Sequence, residues 1–114
     1  MQDSYETLLV DHPQDHVLRV TFNRPDRRNA MNTQLGREML DLFTSMLLDP
    51  GDTRIVILTG AGDKAFCAGG DLKERDGMTD ETWRLQHAIF EQATYNMIDC
   101  PVPVIAAVNG SAFG

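Results

Sequence analysis

Apolar and polar residues alternate through "YETLLVD" (residues 5–11) and again through "HVLRVTFN" (16–23), a period of two that predicts a pair of strands. The "DHPQDH" between them has the Pro, Asp and His content of a hairpin connection. After a polar turn, "RPDRRNAMN", the period changes. Leu35, Met39, Leu42, Phe43, Met46 and Leu47 fall on one face of a helix that Asn32 caps and Asp49-Pro50-Gly51 ends.

"RIVILTG" (54–60) is then a nearly unbroken β-branched run, the pattern of a parallel strand buried on both faces. Thr79, Asp80 and Glu81 start a second helix of about five turns, with Trp83, Phe90, Ala93 and Met97 as its inward face. "CPVP" stops it, and "VIAAVNG" (104–110) reads as a second buried strand. The strand, helix, strand order from 54 to 109 predicts a βαβ unit with parallel strands. The small-residue segment Ala68-Gly69-Gly70 and the segment Gly110 to Gly114 should then leave one edge of the sheet, where open α/β sheets bind ligands.

Composition narrows this picture. With 114 residues, 42% of them hydrophobic and 24% charged, the chain has the makeup of one globular domain. The net charge of −7 opposes a nucleic-acid partner. Arg24, Arg27 and Arg28 form the single basic cluster. Cys67 and Cys100 have neither a CxxC nor a His-x-His companion, which points to apolar packing in a reducing compartment and away from a metal site. "MQDSYETLLVD" is acidic and has no targeting pattern, and "VPVIAAV" is too short to span a bilayer. The expectation is a cytoplasmic protein with no membrane partner.

Backbone without β-carbons at two adjacent loops has a chemical use. N–H groups that converge on one carbonyl oxygen form an oxyanion hole and stabilise an enolate or a tetrahedral oxyanion. Taken singly, each loop is as well explained by tight turns. Neither a GxGxxG nor a GxxxxGK[ST] pattern is present to indicate a nucleotide.

"FNRPDRRNAMN", "KAFCAGGDLKE" and "PVPVIAAVNGSAFG", in this order and spacing, resemble the three N-terminal signatures of the enoyl-CoA hydratase/isomerase (crotonase) family. The resemblance implies an α/β fold, a spiral of ββα units, with residues 1–114 as the N-terminal part of a crotonase-like domain. It implies an acyl-CoA thioester substrate, with 2-enoyl-CoA hydration the leading reaction and isomerisation or another crotonase-type reaction the alternative. Backbone donors are implied at Ala68 and Gly114. Arg28 and Ala30, with the backbone of Ala68, Gly69, Gly70, Asp71 and Leu72, would lie along coenzyme A, and Arg24 and Arg27 could meet its phosphates.

Coenzyme A would be part of the substrate, and no separate cofactor or metal is implied. A homotrimer or hexamer is the implied assembly. "DLKER" resembles the methylglutaconyl-CoA hydratase branch. The acid and base glutamates of the family fall beyond Gly114, so Glu74 and Glu91 match neither, and His12, His16 and His87 read as surface residues. Without those glutamates the 114-residue chain alone is expected to be catalytically silent, and, with the apolar faces of its strands and helices uncovered, incompletely folded. A non-catalytic acyl-CoA-binding or assembly module is the rival from another class, and a plain α/β scaffold with tight turns is the third.

Overall fold

The computed structural model describes residues 1–114. Strand β1 (Leu8–Asp11) pairs antiparallel with β2 (Val17–Phe22), as the alternating pattern predicts. Strand β3 (Ile55–Gly60) lies parallel to β2. Next come β4 (Ala65–Cys67), and β5 (Val104–Ala106), which lies parallel to β3 and closes a sheet of order β1-β2-β3-β5. Strand β6 (Ser111–Ala112) pairs parallel with β4 in a second, two-stranded sheet.

Helix α1 (Thr33–Leu48) begins where the Asn32 side chain accepts the Leu35 N–H at 2.9 Å. Its apolar stripe buries Leu35, Met39, Leu42, Phe43 and Met46 against Leu8, Leu18, Val20, Phe22, Val56 and Leu58 of the sheet. Each such side chain contributes roughly 1.5–3 kcal/mol when fully buried. One carboxylate joins this face. Glu38, 3% exposed, accepts the N–H groups of Glu6 and Thr7, the Thr7 hydroxyl and the Gln34 amide, and so ties the segment before β1 to α1.

A one-turn helix, α2 (Leu72–Arg75), and α3 (Asp80–Ile98) follow β4. Thr79 caps α3, accepting the Thr82 N–H. Gly36 lets α1 and α3 approach, since a β-carbon there would fall 2.3 Å from the Phe90 ring.

Three expectations change. The inward face of α3 is Gln86, Ile89, Ala93 and Asn96, and Trp83 is exposed. Two polar residues serve as buried ties here, so an apolar periodicity cannot find them. Strand β3 alternates buried and half-buried residues, because α1 covers one face only. Strand β5 is a short sheet edge with Ile105 exposed, where the apolar run "VIAAVNG" predicted a buried strand.

Candidate functional site

The parallel β3 and β5 do send their chains toward one edge, but the two small-residue loops meet through strands the sequence pattern does not resolve. Ala65 to Cys67 forms β4 instead of a loop, and Ser111-Ala112 pairs with it. The Phe113 N–H donates to the Cys67 carbonyl at 2.9 Å. At Gly69 the backbone adopts φ +89°, and a β-carbon would stand 3.3 Å from the Gly114 carbonyl oxygen. Glycine at 69 is thus required twice, by conformation and by the neighbouring loop.

The "RPDRRNAMN" turn packs beside the same loop. Pro25–Arg27 forms a 3₁₀ turn, and Arg28 and Asn29 both take the left-handed conformation, φ 53° and 56°. Asn29 is fully buried. Its amide donates to the Ala61 and Ala65 carbonyls and its oxygen accepts the Arg24 N–H, which pins the turn to the connection between β3 and β4. Asparagine tolerates the left-handed region better than most residues, and that is the one sequence signal that could have picked it out. From there, Met31 N–H donates to the Gly69 carbonyl and Asp71 N–H donates back to the Met31 carbonyl, so Met31 and Gly70 face one another as a parallel bridge.

Arg28, Ala30 and the segment Ala68 to Leu72 are therefore gathered into one region. Their hydrogen bonds assign different parts. The Ala68 N–H donates to the Arg28 carbonyl at 3.1 Å and is occupied in holding loop to turn, contrary to its expected place as an open donor. The N–H groups of Gly70 and Gly114 have no protein partner. Arg28 is exposed and its guanidinium makes no ion pair, and Leu72 is 78% exposed.

Arg24 is committed internally. Its guanidinium donates to the Ala30 carbonyl at 2.6 Å and to Asp71 at 3.1 Å, so it is not an open phosphate ligand. Asp71 also caps α2 by accepting the Glu74 N–H. Burial opposes the charge on Asp71, but the Glu74 N–H and the Arg24 guanidinium outweigh it and hold the carboxyl below its usual range.

Beside these loops opens a cavity of about 420 Å³. Phe22, Met39, Phe66, Cys67, Met97 and Gly114 are among its mostly hydrophobic walls. Such a cavity, with the unpartnered Gly114 N–H at its wall and Gly70 facing the lining residue Met31, suits an apolar chain ending in a carbonyl. The Cys67 thiol is pushed up in pKa by burial, with the Gly69 N–H partly offsetting this, so it serves as packing and not as a nucleophile. No group of three or more His, Cys, Asp and Glu side chains is placed to hold a metal ion, and no helix is long and apolar enough to cross a membrane.

A family model described as enoyl-CoA hydratase/isomerase matches residues 12–114. The human protein named Delta(3,5)-Delta(2,4)-dienoyl-CoA isomerase, mitochondrial, is 43% identical over 97% of this chain and 37% of its own length. That relative's name is mitochondrial where the sequence pattern here predicts a cytoplasmic setting. A Bacillus subtilis protein named putative enoyl-CoA hydratase/isomerase YngF is 38% identical over 96% of this chain and 42% of its own. Among solved structures, an enoyl-CoA hydratase from Bacillus anthracis superposes with a TM-score of 0.86 at 40% identity, covering 92% of this chain and 40% of that one. The chain spans about 40% of the length of these relatives and has their crotonase fold over that part. By sequence and by fold, it belongs to the enoyl-CoA hydratase/isomerase family.

Proposed function

We propose that this chain supplies the thioester-polarising part of an acyl-CoA enzyme, with hydration of a 2-enoyl-CoA as its reaction. The observation that carries this reading is the unpartnered N–H of Gly114 at the wall of an apolar cavity, with a second open N–H at Gly70, which faces the lining residue Met31 and follows the Gly69 that packs on Gly114. In this reading the acyl chain enters the cavity and the thioester carbonyl oxygen accepts from the Gly70 and Gly114 N–H groups. As water adds at C3, the electron pair of the double bond moves toward C2 and the carbonyl, and the donors hold the oxygen's developing charge until C2 is protonated. Ala68, with its N–H on Arg28, fixes the loop that aims Gly70. Arg28 and Ala30 border the coenzyme A portion, which arrives as part of the substrate. Acid and base groups come from residues outside 1–114, and a trimeric or hexameric assembly belongs to the same proposal.

The 43% identity to a protein named as a dienoyl-CoA isomerase favours a second reading, double-bond migration, which uses the same polarised thioester. The protein at its full natural length separates the two. Hydration consumes the absorbance of a conjugated 2-enoyl thioester, whereas conversion of a 3,5-dienoyl-CoA to the 2,4-isomer creates a longer conjugated system.

The donor assignment is tested by exchanging the amide at residue 70 for an ester, which deletes the N–H and adds no side chain. Turnover should fall by about 10²–10³, the usual effect of losing one such donor. Unchanged turnover in the folded ester variant would overturn the role of Gly70.

A further inference from the structure

We propose that Arg75 is a positioning residue for this site, acting through Gly70 to strengthen the pull on the thioester oxygen. The inference rests on the proposed thioester reading and adds to it a charge that backbone donors cannot supply. A β-carbon on Gly70 would stand 2.5 Å from the Arg75 guanidinium carbon and from one of its terminal nitrogens. The guanidinium therefore lies flat against the backbone whose N–H is open. Arg75 is half-buried, and no carboxylate comes within 4.0 Å of it, since the ion pairs of the chain are His16–Asp52, Arg19–Asp11 and Arg24–Asp71. A cation with no carboxylate in direct contact, at a partly dry position, keeps much of its field. Negative charge developing on an oxygen held by Gly70 would be stabilised by that field.

The position of this cation is set by a polar tie. Gln86, 1% exposed on α3, accepts from Arg75 Nε at 3.3 Å and donates to Glu74 Oε1 at 2.7 Å and Thr33 Oγ1 at 2.9 Å. Glu74 Oε1 also accepts the Thr33 N–H at 2.9 Å. The start of α1, the turn α2 and the middle of α3 thus meet at one amide, and a buried amide with every bond made is a rigid support. The Glu74 carboxylate accepts from α1 and from Gln86 and lies more than 4.0 Å from the Arg75 nitrogens. Neither Gln86 on α3 nor Arg75 on α2 belongs to an apolar pattern, so hydrophobic periodicity passes over both.

The experiment uses the protein at its full natural length and a conjugated, chromophoric enoyl-CoA, whose absorbance moves to the red when its carbonyl is polarised. Arg75→Met keeps the reach of the side chain and removes its charge. It should lower kcat about tenfold, less than loss of a direct donor, with KM changed by less than about twofold, and it should shrink the red shift of the bound chromophore. Arg75→Lys should restore part of both. A full red shift and unchanged kcat in Arg75→Met would overturn the proposal. So would an equal loss in Arg75→Lys and Arg75→Met, which would mark the residue as a tether alone. If Arg75→Met does not fold, the lysine variant decides by itself: a retained red shift of intermediate size supports the charge, and a complete loss overturns it. Absence of any red shift in the unsubstituted protein would instead defeat the thioester reading beneath it.

Discussion

The Gly114 carbonyl oxygen lies 3.3 Å from the point a β-carbon on Gly69 would occupy, so two loops distant in sequence are held within one side-chain radius of each other. Gly69→Ala should destabilise the protein by about 1–2 kcal/mol through the positive φ alone, because an L-residue in that region clashes with its own backbone. Acyl-CoA turnover should fall as the loops part. Thermal melts of the two proteins, taken with activity below both transitions, check the two effects separately.

Glu38 gives the fold an acid-sensitive joint. Burial raises its pKa, and the hydrogen bonds from Thr7, Gln34 and Glu6 more than offset that, leaving it below its reference of 4.5. A carboxyl depressed on folding stabilises the native state above its unfolded pKa, and that contribution is lost as pH falls through the lower, folded value. Glu38→Gln should therefore cost about 1–3 kcal/mol at neutral pH, where donors of the Thr7 segment lose an acceptor. The gap between variant and parent should narrow as the pH falls from the unfolded pKa of Glu38 through its lower folded value, and level off below that. Denaturant titrations at several pH values measure it, and a gap independent of pH would contradict the assignment.

Arg28→Ala should raise KM for a coenzyme A thioester more than for the matching pantetheine thioester, which lacks the nucleotide phosphates. The side chain is exposed and its guanidinium makes no ion pair, while its backbone anchors Ala68, so the substitution leaves the loop bond intact. Equal increases for both thioesters would assign Arg28 to the turn only.

Gly36→Ala should drive the Phe90 ring away from α1, because the new methyl would occupy the position of the ring edge. Phe90 also lines the apolar cavity, as does Gly36 itself. The variant should lose about 1–3 kcal/mol, as overpacked sites do, and should alter the preferred acyl length. A series of enoyl-CoA chain lengths, assayed with parent and variant, reads the change.

What the sequence makes legible here follows from which forces have a period. The strands β1 and β2, the cap at Asn32 and the apolar stripe of α1 are all local patterns, and each is found at its predicted place, except that Leu47, in the last turn of α1, is exposed. The convergence of the two glycine loops was legible from strand direction. Strands β4 and β6 were not, since a three-residue and a two-residue strand carry no alternation to detect. The inward face of α3 departs from its apolar pattern because Gln86 and Asn96 are buried for their hydrogen bonds, Asn96 to Thr44 across to α1. Which N–H in "CAGGD" is open depends on the Arg28 carbonyl, forty residues earlier, and no local rule reports that.

The outer strand β5 has a consequence for handling the protein. From Cys100 through Gly114 there is no Asp, Glu, Lys or Arg, and Ile105, Val108 and Phe113 are exposed along this stretch. Natural sheet edges are guarded by charge, because an unguarded row of amides templates the addition of further strands. The 114-residue chain, overexpressed as it stands, should therefore be lost to strand-upon-strand aggregation nucleated at β5. Its net charge of −7 would slow that growth at low ionic strength and protect it less in concentrated salt.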